Sequence, residues 1–259
     1  MNKAIVITAC LLLVLFKSAF AQDQLKIAED SDSKKDTQIC TIKALDGNDQ
    51  KVHVMPDYFN RLLKISCLKD TITIFDYWGV PAEVTVLNKN FIKISYAVRG
   101  GSDISLSNVM VLCINGGRLY EAMHVLEHVS SESEGEKELY RNIYKITMTL
   151  SGDDKKNYKL HVGIHDSVKS RATPAINYNY NNQTVLSFDA GRNVFYSIKE
   201  DIYDSFAVYP TTQKNYKEKL KGNYPVIILG KETYYYIKGG WYNLGRNNEL
   251  SGFTTHTAR

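Results

Sequence analysis

Most of the chain alternates hydrophobic and polar residues with a period of two, which is the pattern of a β-strand with one buried face. Residues 91–99 give one such strand, and residues 143–150 and 158–164 give two more. The connection between the last two, residues 151–156, is polar and rich in turn formers. This pair of strands therefore predicts a β-hairpin.

The last third of the chain repeats the hairpin rhythm. Residues 185–189 and 194–198 flank a short turn, and residues 226–229 and 232–237 flank the pair Gly230-Lys231. A glycine at the first turn position suits the tight turns that join antiparallel strands. The sequence therefore predicts a mainly β protein of antiparallel meanders, folded as a sandwich or a partly open barrel.

Two segments interrupt the strand pattern and predict one or two short helices. Residues 56–67 begin with Pro56, which suits a first helical turn, and they carry a hydrophobic stripe with helical spacing. The members of that stripe are Phe59, Leu62, Leu63 and Cys67. Residues 215–220 predict one or two further helical turns.

The N-terminal residues predict export. Residues 1–21 contain a short positive start, an apolar run and a closing Ala-Phe-Ala cleavage signal, which together are typical of a secretory signal peptide. No later stretch approaches the roughly 18 apolar residues that a membrane-spanning helix needs. We therefore expect a periplasmic or extracellular protein without a transmembrane segment.

The exported chain is expected to contain a flexible leader and two β-rich parts. Residues 22–38 are polar and charged, with little to bury. A polar, turn-rich stretch at 171–183 then separates an N-terminal lobe, 39–170, from a C-terminal β-meander lobe, 183–259. The sequence leaves open whether these lobes stand apart or share one core.

The charge balance argues against a nucleic-acid partner. The chain has 32 Lys and Arg residues and 28 Asp and Glu residues. Loss of the signal would remove Lys3 and Lys17, so that 30 − 28 leaves a net charge of +2. Because no dense basic stripe appears in the sequence, we do not expect a nucleic-acid partner. Export instead suggests an envelope protein or a glycan as the partner.

Three cysteines would remain after export, and an odd number cannot all pair within the chain. Cys113 lies in an apolar run, so a buried free thiol is expected there. Cys40 and Cys67 are the remaining pair. They predict a disulfide, which an oxidising compartment would permit.

One motif suggests a reaction. His124-Val125-Leu126-Glu127-His128 matches H-x-x-E-H and resembles the signature of the inverzincin, or pitrilysin-like, metallopeptidases. The resemblance implies His124, His128 and Glu200 as zinc ligands and Glu127 as the general base. Such a site requires a helix, because only helical spacing brings residues four apart onto one ion.

The residues before this motif favour a hairpin over a helix. Asn115-Gly116 follows an apolar strand pattern, and Asn-Gly between two such patterns is a strong hairpin signal. In the returning strand, four residues span about 13 Å, so His124 and His128 could not share a metal ion. A surface helix without metal is a third alternative. We prefer the hairpin, and with it a protein that has neither a cofactor nor catalytic residues.

Aromatic residues concentrate late in the chain and provide the remaining candidate site. Tyr234, Tyr236 and Trp241 lie in a strand pattern that would expose one face. An exposed aromatic row offers a large contact area to a sugar ring or a protein partner. The sequence therefore predicts an exported, non-catalytic binding or scaffolding protein, with a zinc-dependent hydrolase as the alternative.

Overall fold

A computed structural model describes residues 35–75, 77–134, 139–170, 177–202, 206–209, 216–219, 222–244 and 249–258. These residues form three antiparallel-rich β-sheets, so the mainly β prediction is confirmed. The predicted signal peptide and nearly all of the predicted leader lie outside the described residues.

The first sheet, sheet A, has five antiparallel strands. In spatial order they are β1 (Gln38–Lys43), β2 (Asp49–Asp57), β3 (Leu62–Cys67), β4 (Asp70–Ile74) and β20 (Thr254–Ala258). The last strand of the chain therefore completes a sheet whose other strands come from the beginning. This pairing joins the two ends of the described chain in one sheet.

The second sheet, sheet B, is a continuous eight-stranded meander. Its strands are β5 (Glu83–Asn88), β6 (Phe91–Val98), β7 (Ile104–Asn115), β8 (Arg118–Glu134), β9 (Leu139–Ser151), β10 (Lys159–Ser170), β11 (Asn177–Asp189) and β12 (Val194–Tyr196). The predicted hairpin of 143–150 with 158–164 is present as β9 and β10.

The third sheet, sheet C, has seven strands. They are β13 (Ile198–Ile202), β14 (Phe206–Tyr209), β15 (Tyr216–Lys219), β16 (Gly222–Leu229), β17 (Glu232–Ile237), β18 (Gly240–Leu244) and β19 (Glu249–Gly252). Their spatial order is β13-β16-β17-β18-β19-β14-β15, and only β14 and β19 pair in parallel among the described strands. The predicted hairpin across Gly230 is present as β16 and β17.

Sheet B is buried on both faces around β7. Val109, Val111 and Cys113 point into a core shared with sheet C, while the alternate residues point into a second core shared with sheet A. Those alternate residues are Met110, Leu112 and Ile114. Burial on both faces of the sheet explains why residues 109–114 form a continuous apolar run instead of alternating with polar residues. Each fully buried aliphatic side chain stabilises the fold by about 1.5–3 kcal/mol.

Sheet B is also strongly curled. Phe91 of β6 contacts Phe188 of β11, with ring centroids 5.5 Å apart. The spatial order places four strands between these two, which would put them about 24 Å apart in a flat sheet. The sheet thus wraps around the core that it shares with sheet C, although its edge strands β5 and β12 do not pair with each other.

The predicted helix at 56–67 is wrong, because this segment forms the end of β2, a turn and β3. Pro56 pairs with Leu63 across the hairpin. Asp57 Oδ1 accepts hydrogen bonds from the backbone and side-chain nitrogens of Asn60 and so closes the turn. Three members of the stripe that looked helical, Leu62, Leu63 and Cys67, belong to β3, whose period of two buries Leu63, Ile65 and Cys67. The fourth, Phe59, lies exposed in the turn.

Two further expectations of irregular or helical structure are corrected. Residues 216–219, within the predicted helical turns, form β15. Residues 177–183, predicted as part of a connection, form the first half of β11 and pair along β10. Residues 171–176 lie outside the described residues. Both errors arise because strand pairing, a contact distant in sequence, overrides weak local signals.

The predicted Cys40–Cys67 disulfide is not formed, and both residues are free thiols. Cys40 pairs with Val52 across β1 and β2, and β3 lies on the far side of β2. Two strand spacings put the cysteines about 9–10 Å apart, beyond the range of a disulfide. Cys113 is a buried free thiol, as expected, and burial raises its pKa.

Candidate functional site

The segment with the zinc motif is a strand. β7 and β8 are joined by Gly116 and Gly117, with Asn115 paired to Arg118. Both glycines have positive φ, 57° and 72°, which is the backbone of the tight turns that suit twisted hairpins. The hairpin prediction is confirmed, and both helical alternatives are wrong for this segment.

The three motif residues point to different places. His124 is completely buried on the side of sheet A, whereas Glu127 lies on the opposite face and makes an ion pair with Lys93 at 3.1 Å. Glu127 also accepts a hydrogen bond from Ser95 Oγ at 2.9 Å. His128 pairs in register with Lys145 of β9. The side chains of the motif therefore do not converge on one point, as the ligands of a zinc ion must.

Glu200, the expected third ligand, lies in another sheet. It belongs to β13 of sheet C, and its Oε2 accepts a hydrogen bond from Tyr235 OH at 3.0 Å. Burial, followed by this hydrogen bond, raises the pKa of Tyr235 to about 12. Among the described residues, no group of three or more His, Cys, Asp or Glu side chains is placed to hold a metal ion.

His124 takes part in a buried polar network. Its Nδ1 lies 2.8 Å from Glu121 Oε2, and its Nε2 lies 2.5 Å from Tyr96 OH. Because a carboxylate can only accept, Nδ1 carries the proton and Nε2 accepts from the tyrosine. The Phe253 ring stacks on the imidazole with a centroid distance of 4.5 Å. Asn108 donates to the same Tyr96 hydroxyl at 3.4 Å.

A β-bulge in β8 makes this network possible. Residues three apart on a regular strand point to opposite faces. Val111 pairs with Met123 and Leu112 with Glu121, so Ala122 is the extra residue. The bulge shifts the alternation and brings Glu121 and His124 to the same side of sheet B.

The aromatic residues predicted as a ligand surface are part of the core. Tyr234 and Trp241 are both 0% exposed. The Trp241 indole N–H donates to the backbone carbonyl of Glu121 at 2.8 Å, and Tyr234 OH accepts from the backbone N–H of Leu126 at 3.1 Å. Tyr236 is partly buried against the same core. The strand face expected to be exposed is therefore covered by sheet B, and these residues do not form a contiguous exposed patch.

An exposed aromatic surface occurs elsewhere, at the loop between β4 and β5. Trp78 is 41% exposed and Phe75 is 39% exposed. The Arg61 guanidinium carbon lies over the Trp78 ring at 4.8 Å from its centroid, and the Arg99 guanidinium carbon lies at 5.7 Å. We call these four residues the aromatic–arginine surface.

The loop is anchored by its neighbours. Tyr77 is completely buried, its backbone N–H donates to the Arg61 carbonyl at 3.1 Å, and its hydroxyl donates to the Val80 carbonyl. The backbone N–H of Trp78 donates to the Ala97 carbonyl at 3.0 Å. The indole and the two guanidinium groups therefore stand on a fixed base, which reduces the entropy cost of binding.

Two pockets lie beside this surface. One of about 530 Å³ is lined by Arg61 and Trp78, together with Lys35, Asp36, Tyr58, Gly79 and Pro81. The other, of about 420 Å³, is lined by Phe75 and Arg99, together with Tyr96, Val98, Asn108, Gly252 and Phe253. The second pocket reaches the buried network through Tyr96 and Asn108.

The chemistry of the surface suits an anionic ligand. A guanidinium group that stacks on an aromatic ring keeps its N–H groups at its edge, where they can bind a carboxylate with two hydrogen bonds. No acidic partner for Arg61 or Arg99 occurs among the described residues. Two guanidinium groups therefore lie beside one tryptophan ring, and neither forms an ion pair with an acid in the described part of the chain.

This surface was not predicted from the sequence, although the sequence contains one signal for it. Trp78 lies in the short stretch Tyr77-Trp78-Gly79-Val80-Pro81, where glycine and proline mark a loop. A tryptophan in a loop has no strand face to bury it. By contrast, the clustered tyrosines of β17 have high strand propensity and fill a core.

No known protein-family model, curated protein or solved structure matches the chain. Within the described residues, no helix is both long and apolar enough to span a bilayer.

Proposed function

We propose that this chain is an exported, non-catalytic binding protein of the cell envelope, and that its aromatic–arginine surface binds an acidic sugar residue of a glycan. The observation that carries the proposal is the placement of Arg61 and Arg99 about the exposed Trp78 ring, between two pockets. Export is supported by the signal-like residues 1–21.

A uronic acid offers the complementary groups. Its carboxylate matches the planar fork of an arginine, and its ring carbons match the apolar parts of Trp78 and Phe75. Tyr58 adds a hydroxyl beside the larger pocket. Burial, followed by the hydrogen bond to Asp36, raises the pKa of Tyr58, so its hydroxyl stays protonated at neutral pH.

Titration calorimetry with trigalacturonate, and with its neutral counterpart trigalactose, tests the proposal. We expect the acidic trisaccharide to bind, and the substitutions Trp78→Ala and Arg99→Gln each to weaken binding by about tenfold, as for a central contact residue. Arg118→Gln is the matched control, since Arg118 is exposed at a separate hairpin. Equal affinity for the acidic and the neutral sugar, or equal effects of both arginine variants, would overturn the proposal.

Export has its own test. Mass analysis of the protein secreted by a bacterial host should show a chain that begins at Gln22. A cell-associated chain that retains residues 1–21 would contradict export and leave the binding site to be judged on the calorimetry alone.

A further inference from the structure

The outward face of β9, β10 and β11 carries a second concentration of charge. Tyr144 and Ile146 of β9 point into the core shared with sheet C, as do Leu160 and Val162 of β10. Because side chains alternate along a strand, their neighbours point away from that core. We call this opposite side the outer basic face. Its cationic and imidazole side chains are Arg141, Lys145, Lys159, His161, His165 and Lys169.

We propose that the outer basic face binds a linear acidic polysaccharide. The pairing register places these side chains in rows that cross the strands. Arg141 lies directly opposite Lys169, and Lys145 lies directly opposite His165. His128 of β8 extends the second row on the other side of Lys145.

The row formed by Arg141 and Lys169 should destabilise the fold when no ligand is bound. Like charges directly opposite each other on adjacent strands destabilise a sheet. Glu132 of β8 pairs with Arg141 and partly balances it, whereas the β11 neighbour of Lys169 is the neutral Asn177. Among the described side chains, no acid forms an ion pair with Lys169. A bound anion would remove this repulsion.

A pocket of about 370 Å³ lies at this row. It is lined by Arg141, Lys169 and His165, with Ile143, Ser167, Asn177, Tyr178 and Asn179. Ser167 is only 8% exposed at its base. His165 Nδ1 donates to Asn181 Oδ1 at 2.8 Å, which fixes the imidazole on the face. The pocket therefore combines cations with amide and hydroxyl groups, which suit both the charge and the hydroxyls of an acidic sugar.

The charge extends along the strands and beyond this pocket. Cross-strand rows of the same face repeat every two residues, or about 6.8 Å. From Arg141 to Ser151, which pairs with Lys159, the face runs for about 34 Å. Lys145 and His161 occupy rows between these ends. Arg141, Lys145 and Lys159 spread positive charge over this length, which fits a linear polymer with repeated charges better than a single small anion.

The neighbouring side chains favour a polysaccharide over a lipid surface. β11 presents the amides of Asn177, Asn179, Asn181 and Gln183 on this face, opposite residues 169, 167, 165 and 163 of β10. Amide and hydroxyl groups provide hydrogen bonds to sugars. A membrane-binding face would instead carry many large apolar side chains for insertion between lipids, whereas the described part of this face has two, Ile143 and Val185.

Binding of polygalacturonate to the full chain bearing both Trp78→Ala and Arg99→Gln tests the proposal, because this background weakens the aromatic–arginine surface at two of its four residues. We expect affinity to rise with polymer length and to fall with salt, because exposed ionic contacts are screened. Replacing Arg141 and Lys169 by serine should weaken binding by about tenfold, the size expected for two exposed ionic contacts. Replacing Lys51 and Lys69, which are exposed on sheet A, is the charge-matched control.

A charge reversal separates binding from folding. Lys169→Glu creates an opposite-charge pair with Arg141, so the melting temperature should rise while polygalacturonate binding is lost. Equal losses in the serine variant and the sheet A control would overturn the proposal. It would also be overturned by binding to phosphatidylglycerol vesicles without binding to polygalacturonate. Failure here leaves the trigalacturonate result unaffected, because that measurement uses the chain with Trp78 intact.

Discussion

Loss of one carboxylate should destabilise the fold through the buried network of β8. The Glu121 and His124 side chains are both 0% exposed, and Nδ1–H of the imidazole donates to the carboxylate at 2.8 Å. Glu121→Leu keeps a similar volume but removes the acceptor. An unpartnered buried donor costs about 1–3 kcal/mol, and the upper end applies here because the lost acceptor is a carboxylate. We therefore expect the free energy of unfolding to fall by about 3 kcal/mol.

The partner substitution His124→Phe should cost a similar amount, because it leaves the carboxylate buried without the imidazole. Phenylalanine can retain the stacking on Phe253, so packing is largely preserved. The double variant removes both polar groups and should cost no more than either single variant. The resulting coupling energy of about 3 kcal/mol would show that the pair acts as a unit.

Urea unfolding followed by circular dichroism measures these differences. The free energy of unfolding of a domain this size falls by about 3 kcal/mol for each 1 M urea. A loss of about 3 kcal/mol in that free energy therefore lowers the urea concentration at the unfolding midpoint by about 1 M. Glu83→Gln, at an exposed strand position, should stay within about 0.5 kcal/mol of the wild type. Additive single effects, or a Glu121→Leu midpoint equal to that of the control, would refute the role assigned to this network.

Three further substitutions test the turns and the core. Gly152→Ala should lower the free energy of unfolding by about 2 kcal/mol in urea titration, because Gly152 has a φ of 90° and a Cβ there would lie 2.4 Å from the Asn157 carbonyl oxygen. Burial acts to raise the pKa of Asp189, but hydrogen bonds from Lys199 and the turn backbone outweigh it, so the pKa is lowered. Because the pKa of Asp189 is lower in the folded than in the unfolded state, the ionised carboxylate stabilises the fold at pH values above about 4. Asp189→Asn should therefore lower the free energy of unfolding at pH 7, and the difference from the wild type should vanish as the pH is lowered through the folded-state pKa. Trp241→Phe leaves a buried carbonyl without its 2.8 Å donor, and it should cost about 1–3 kcal/mol by the same urea assay.

The aromatic residues show how far local pattern reaches. The alternation in β17 correctly predicted a strand, and the hairpin across Gly230 followed from its turn residues. Sheet B determines which face of that strand is exposed to solvent. The backbones of Leu126 and Glu121 in this sheet form hydrogen bonds with Tyr234 and Trp241. Contacts between residues more than a hundred positions apart produce no local sequence pattern. The aromatic ligand surface was therefore predicted at Tyr234, Tyr236 and Trp241, which are not exposed as a patch.

Period-two alternation and tight-turn chemistry were readable in the sequence alone, because both depend on residues close in the chain. They determined a mainly β protein and its hairpins, including the turn at Gly116-Gly117 that separates His124 from His128. Tertiary structure decided the rest. Only the stacking of three sheets buries the β17 aromatics, leaves Trp78 exposed beside two arginines, and aligns cations along β9 and β10. Each of these features depends on which strands become neighbours.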